Sequence, residues 1–99
     1  MSDKITKLSD AIRLGATFRP QCRRGTTDFD RRTSCALMAA HEAVFHQTPE
    51  EFLRGCRTFE PLADRFGLPS GIVNQVALRN DRDGHTREQI ADWLEGQGL

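Results

Sequence analysis

The side chains best suited to metal chemistry in this chain are Cys22, Cys35, Cys56, His41, His46 and His85. A structural zinc needs four such ligands at short, closely paired spacings. No Cys-x-x-Cys pair is present. His41 and His46 are five positions apart, so on a helix they diverge by about 140° and give a poor bite for one ion. Cys35 and His41 would serve as nucleophile and base only if they met. Six positions apart on one helix, they point about 120° away from each other. Cys35 reads instead as a small buried side chain on an apolar face. Asp81-Arg82-Asp83-Gly84 suggests a calcium loop, but with Gly84 at the sixth position Arg79 and Ile90 fall where acidic ligands are required. A polar turn, with Asn80 or Asp81 bonding backbone amides, is the simpler reading. There is no glycine-rich phosphate loop, nucleophile elbow or paired-carboxylate motif. No catalytic residue, metal or cofactor is expected.

Two patterns point to macromolecular binding. Leu62, Ala63, Phe66, Gly67, Leu68, Val73 and Val76 have the spacing of a helix-turn-helix across residues 62–79. Ala63 is small where two helices would cross, and Gly67 supplies the turn. The exposed residues of the second helix would be Ser70, Asn74, Gln75 and Arg79. Asn and Gln are suited to adenine edges in the major groove. The same region carries Glu60, Asp64, Asp81 and Asp83 against Arg65, Arg79 and Arg82. That is a weak basis for phosphate contacts, which dominate affinity for nucleic acid. The second pattern is an arginine-rich segment, Arg19, Arg23, Arg24, Arg31 and Arg32. Residues 1–48 hold eight Lys/Arg and five Asp/Glu, a charge of +3, and residues 49–99 six and nine, a charge of −3. Such a segment suits an acidic surface, and a protein partner is preferred over nucleic acid.

The elements that would position these residues are helical. Ser9 starts the first, with Ala11, Ile12 and Leu14 on its apolar side, Gly15 at its end and Pro20 beyond. Residues 20–33 are polar. Thr26, Thr27 and Phe29 fit a small β-hairpin or a loop with one docked aromatic equally well. Thr33 or Ser34 caps a helix that runs through Cys35 to Phe45 and is apolar nearly all round, the mark of a central buried helix. Thr48-Pro49-Glu50-Glu51 is a strong helix start. Phe52 and Leu53 follow, and Gly55 ends that helix. Leu62, Ala63 and Phe66 form a short face stopped by Gly67. Ser70 caps the next helix through Leu78. Thr86 and Gln89 form a capping box for the last, whose stripe is Ile90, Trp93 and Leu94. Trp93 is expected to be largely buried. The fold class is all-α, a compact irregular bundle of about six short helices, with residues 1–99 as one domain.

The apolar share of 37% and charged share of 28% suit a globular protein. No apolar run approaches the roughly 20 residues of a membrane span. The first seven residues lack the apolar stretch of a secretion signal, so the expected location is the cytoplasm. An odd number of cysteines without close pairing fits a reducing compartment.

The stretch Arg79–Leu94, with its Asn80-Asp81, Thr86-Arg87-Glu88-Gln89-Ile90-Ala91-Asp92-Trp93, resembles the signature of a family of small uncharacterised bacterial and phage proteins. The likeness extends to Lys7–Ala16 and Ser34–Ala40. It implies no activity. It does imply a zinc-finger-like pattern in some relatives, with a Cys-x-x-Cys pair and two histidines flanking Asn-Asp. Here Cys56 matches the first ligand, while Phe59, Leu78 and Asp83 occupy the others. One ligand of four holds no zinc, so Phe59 and Leu78 are expected to substitute core packing for metal. The expectation is a non-enzymatic interaction protein, phage-linked by resemblance, with DNA binding at residues 62–79 as the alternative.

Overall fold

The computed structural model describes residues 5–21, 34–55 and 58–99, with the side chain of Leu53 left aside. It is all-α. Six helices run in order: α1 (Leu8–Gly15), α2 (Ala36–Phe45), α3 (Pro49–Arg54), α4 (Glu60–Phe66), α5 (Ile72–Asp81) and α6 (Arg87–Gly96). The region of the expected hairpin lies almost wholly outside the described residues. At its edges Gln21 and Ser34 form an isolated parallel bridge, and no strand occurs among the described residues. None of the described helices is long and apolar enough to cross a membrane.

Helix α2 is central because it is apolar nearly all round. Ala36 through Ala43 are all buried. Helices α1, α4 and α5 pack on it, and α6 closes against α1 and α5. In α1, Leu8, Ala11, Ile12 and Gly15 stand at i, i+3, i+4 and i+7, and all are buried. Helix α6 buries Ile90, Ala91 and Leu94. These faces meet Met38, Leu62 and Val76 in one core.

The capping box expected at Thr86 forms, and the Thr48 cap proves to be a second one. Thr48 Oγ1 accepts from the Glu51 N–H at 3.2 Å, and Glu51 accepts from the Thr48 N–H at 2.9 Å. Thr86 and Gln89 do the same at 3.0 and 2.8 Å. Three other starts differ from expectation. Helix α1 begins at Leu8 after Lys7. The Ser9 hydroxyl and N–H are turned to the Leu99 carbonyl, which joins residue 99 to the foot of α1. The cap of α2 is Cys35, whose Sγ accepts from the Met38 N–H at 3.4 Å. Ser34 Oγ is instead engaged by Arg87. Helix α5 is entered through Gly71 at φ 89°, so Ser70 is not its cap. That left-handed residue extends the connection after Gly67, itself left-handed at φ 58°.

The tightest constraint between helices is at Gly15. A Cβ there would lie 1.8 Å from the Ala39 carbonyl oxygen. The glycine that reads as a helix terminator thus sets how closely α1 approaches α2. In an exposed helix, Gly→Ala stabilises. Here the sign reverses. Gly15→Ala is expected to cost at least about 2 kcal/mol and to lower Tm by roughly 8–16 °C. Gly96→Ala, with open space around it, is the control. A thermal melt of both variants checks this, and an unchanged Tm for Gly15→Ala would show that the helices are not so close.

Candidate functional site

Helix α5 organises the surface that can meet another molecule. Its inner stripe is Ile72, Val76 and Asn80, all buried. The opposite face, Asn74, Gln75, Leu78, Asp81 and Arg82, is exposed. Of the predicted nucleic-acid residues, Ser70, Asn74 and Gln75 are therefore free to contact a partner. Leu78 is 38% exposed and is not a core residue. It falls on the outward face because it stands two positions from both Val76 and Asn80. Phe59 does pack inward, stacked on Phe52 at 4.9 Å between ring centroids.

The inner polar residue, Asn80, is the part of the segment that sequence reasoning misjudged. Its side chain does not serve its own turn. Oδ1 accepts from the Ala36 N–H at 3.2 Å and from Gln21 Nε2 at 2.9 Å. Nδ2 donates to Asp81 at 2.9 Å. Gln21 Nε2 also donates to the His85 carbonyl at 2.8 Å, and its Oε1 accepts from the Arg87 N–H at 3.1 Å. The Arg87 guanidinium then reaches Ser34 Oγ at 3.0 Å and the Ser34 and Ala16 carbonyls at 3.4 Å. Burial lowers the Arg87 pKa from its usual value, though a guanidinium remains charged at neutral pH. Four segments are thereby pinned together: residues 16–21, the start of α2, the end of α5 and the start of α6. The sequence signal was Asn80-Asp81 followed by Arg87, but its partners are remote in the chain.

On one flank of α5 the expected helix-turn-helix does not close. Helices α4 and α5 make little direct contact. Between them opens a groove of about 480 Å³. Leu37, Phe59, Ala63, Leu68, Val73 and Ala77 form its apolar lining, with Ser70 and Asn74 among the remaining residues. Ala63 and Val73, which should pack across the crossing, face this space and are half-buried. On the other flank, Arg79 lies over Trp93 with Cζ 3.8 Å from the ring centroid. Trp93 is half-buried, not enclosed as expected, while Ile90 and Leu94 are fully buried. Arg79 occupies the side where the sequence stripe predicted further apolar cover.

The predicted arginine-rich surface is only partly open to description. Arg23, Arg24, Arg31 and Arg32 lie outside the described residues. Arg19 is engaged by Glu42 of α2 through two bonds, Nε to Oε1 at 2.8 Å and Nη2 to Oε2 at 2.7 Å. Those bonds raise its pKa. A partner would have to compete with Glu42 for it. Arg13 is held by Glu88 at 2.9 Å, Asp92 at 2.6 Å and Glu95 at 2.8 Å. Its hydrogen bonds to these three carboxylates raise its pKa too.

Cys22 and Cys56 lie outside the described residues. Among the described residues no group of three or more His, Cys, Asp or Glu side chains is placed to hold a metal. His41 is buried among rings, with centroids 4.6 Å from Phe45, 4.8 Å from Phe52 and 6.2 Å from Phe59. Its Nδ1 is shut from solvent without a hydrogen-bond partner. Burial lowers its pKa. No family model, curated protein or solved structure matches this chain.

Two tests follow from this geometry. Asn80→Ala removes an acceptor from the buried Ala36 N–H and is expected to cost about 2–3 kcal/mol, seen as a fall of roughly 8–24 °C in Tm. A loss below about 0.5 kcal/mol would show that the network is replaceable by water. For His41 the folded-state pKa lies below the unfolded value of 6.5. The unfolded chain therefore takes up the proton first on acidification. Its contribution to stability is complete above pH 6.5 and is lost as pH falls toward the folded value. Urea midpoints at pH 7.5 and 5.5 should differ less in His41→Phe than in the parent. The difference should amount to at most about 1.4 kcal/mol. Equal pH dependence in the two proteins would exclude His41 as the group responsible.

Proposed function

We propose that this chain is a non-catalytic protein that binds a protein partner across the outward face of α5 and the groove between α4 and α5. The observation that carries this reading is the groove. Two short helices that the sequence pattern would pack together stand apart, and the gap is lined by apolar side chains of both. Exposed apolar surface of this kind, edged by a hydroxyl and a carboxamide, is the composition of an interaction site. Leu78 adds an exposed apolar side chain on the same helix. A phage-linked setting is part of the proposal and rests on the sequence resemblance alone.

DNA binding is the second reading. Exposed Asn74 and Gln75 favour it, since both carry the donor–acceptor pair that adenine requires. Against it stand the unpacked helix pair and the carboxylates Glu60, Asp64, Asp81 and Asp83 among the cations of the same region.

Affinity capture from the native host, with nuclease present, separates the two. Val73→Lys puts a charge on the groove wall. It is expected to weaken retention of a protein partner by roughly tenfold or more, with far-UV circular dichroism unchanged. Asn74→Ala/Gln75→Ala should have a smaller effect. Retention abolished by nuclease, together with loss of a genomic-DNA gel shift in the Asn74→Ala/Gln75→Ala protein, would replace this reading with the second.

A further inference from the structure

We infer that Arg79, laid on Trp93, is a receptor for a carboxylate side chain of a polypeptide partner. Every other described arginine side chain already has an acceptor. Arg13 holds Glu88, Asp92 and Glu95; Arg19 holds Glu42; Arg54 holds Glu50; Arg82 holds Asp83. Arg65 donates to the Ile5 carbonyl, and Arg87 to Ser34 and Ala16. Among the described residues, the Arg79 guanidinium alone makes neither a hydrogen bond nor an ion pair.

The group is nevertheless fixed. Its Cζ sits 3.8 Å from the Trp93 ring centroid, an attraction that orients the plane without using any N–H. Its carbonyl accepts from the His85 N–H at 3.0 Å, so the backbone beneath is held as well. Nε is shut from solvent. The fork that can accept a ligand is therefore the terminal pair, Nη1 and Nη2, which binds a carboxylate end-on. A preoriented fork loses little freedom on binding. Gln75 is exposed one helical turn before Arg79 and adds an amide donor on the same flank.

Local charge selects the ligand. Asp83 is close enough for its own pKa to be lowered, first by its hydrogen bond to Arg82 and also by His85 and Arg79. Asp81 is exposed on the same turn. Asp83 thus stands within electrostatic reach of both arginines. A polyanion such as a chain of phosphates meets more repulsion from Asp83 than a single carboxylate does. The inference rests on the reading of this surface as a protein-binding face, and it names what the partner presents there, a glutamate or aspartate.

Trp93 is the chain's single tryptophan, so its fluorescence reports directly on the stacked guanidinium. The probes are a capped peptide of alternating leucine and glutamate, its leucine–glutamine counterpart, inorganic phosphate and a single-stranded oligonucleotide. The acidic peptide should give a saturable change that weakens as salt rises. The glutamine peptide should bind about tenfold more weakly or worse. Arg79→Gln should abolish the response. Arg79→Lys, which keeps the charge and the helix but loses the fork, should lose most of it. Arg54→Gln, at an arginine of α3 that holds Glu50, should leave it intact; the groove reading stands or falls on partner retention by Val73→Lys in the capture experiment, so its failure is seen separately. Equal responses to the two peptides, an undiminished response in both Arg79 variants, or tighter binding of phosphate or oligonucleotide than of the acidic peptide would overturn the assignment.

Discussion

The buried carboxamide of Asn80 is the interaction on which the rest of this bundle depends. A helix N-terminus has backbone N–H groups with no acceptor of its own. At the start of α2 one such group, that of Ala36, is fully buried and is satisfied by Asn80 Oδ1. The same oxygen takes a bond from Gln21, and Gln21 satisfies the His85 carbonyl and the Arg87 N–H at the entry to α6. Helices of ten residues or fewer are marginal by themselves. Here the start of α2, the end of α5 and the start of α6 are joined through polar groups that would otherwise be buried at a cost. Arg87 extends the network to residues 16 and 34.

With α5 pinned at its C-terminal end, the placement of α4 explains the groove. The Phe59 ring, just before α4, stacks on Phe52 and lies near His41, which ties the beginning of α4 to α3 and α2. Leu62 enters the core. The link to α5 passes through two left-handed glycines, Gly67 and Gly71, and so turns without folding one helix onto the other. Aromatic contacts draw α4 toward α2 while polar contacts draw the end of α5 toward α2 and α6. The apolar sides of Ala63, Val73 and Ala77 are left facing one another across open space.

Charge follows a comparable division. The N-terminal half is basic by composition, but two of its arginines, Arg13 and Arg19, are bound to carboxylates of α6 and α2. The exposed pairs of Arg13 add little stability singly. Their larger consequence is that formal charge along the chain is a poor guide to free positive surface. Arg79, in the acidic half, is oriented by Trp93 yet makes no ion pair among the described residues.

The helices themselves were legible in the sequence. Thr48 with Glu51 and Thr86 with Gln89 are local signals, and the contacts they predict span three residues. The burial of α2 followed from a segment apolar nearly all round, with only His41 and Glu42 polar. Ala11 and Ile12 likewise announced the inner face of α1, whereas Leu14, read onto that face, is exposed and Leu8 takes its place in the core. What only the tertiary structure decided are relations between residues far apart in the chain. Asn80 reads as a turn residue until Ala36 and Gln21, 44 and 59 positions away, are brought to it. Gly15 reads as a helix terminator until the Ala39 carbonyl is found against it. Trp93 reads as core until Arg79 covers part of its face, and Leu78 reads as core until the direction of α5 is known. The helix-turn-helix spacing of residues 62–79 described two amphipathic helices correctly but not the distance between them. Periodicity reports which side of a helix is apolar. It does not report what, if anything, lies against that side, because that is set by contacts made elsewhere in the bundle.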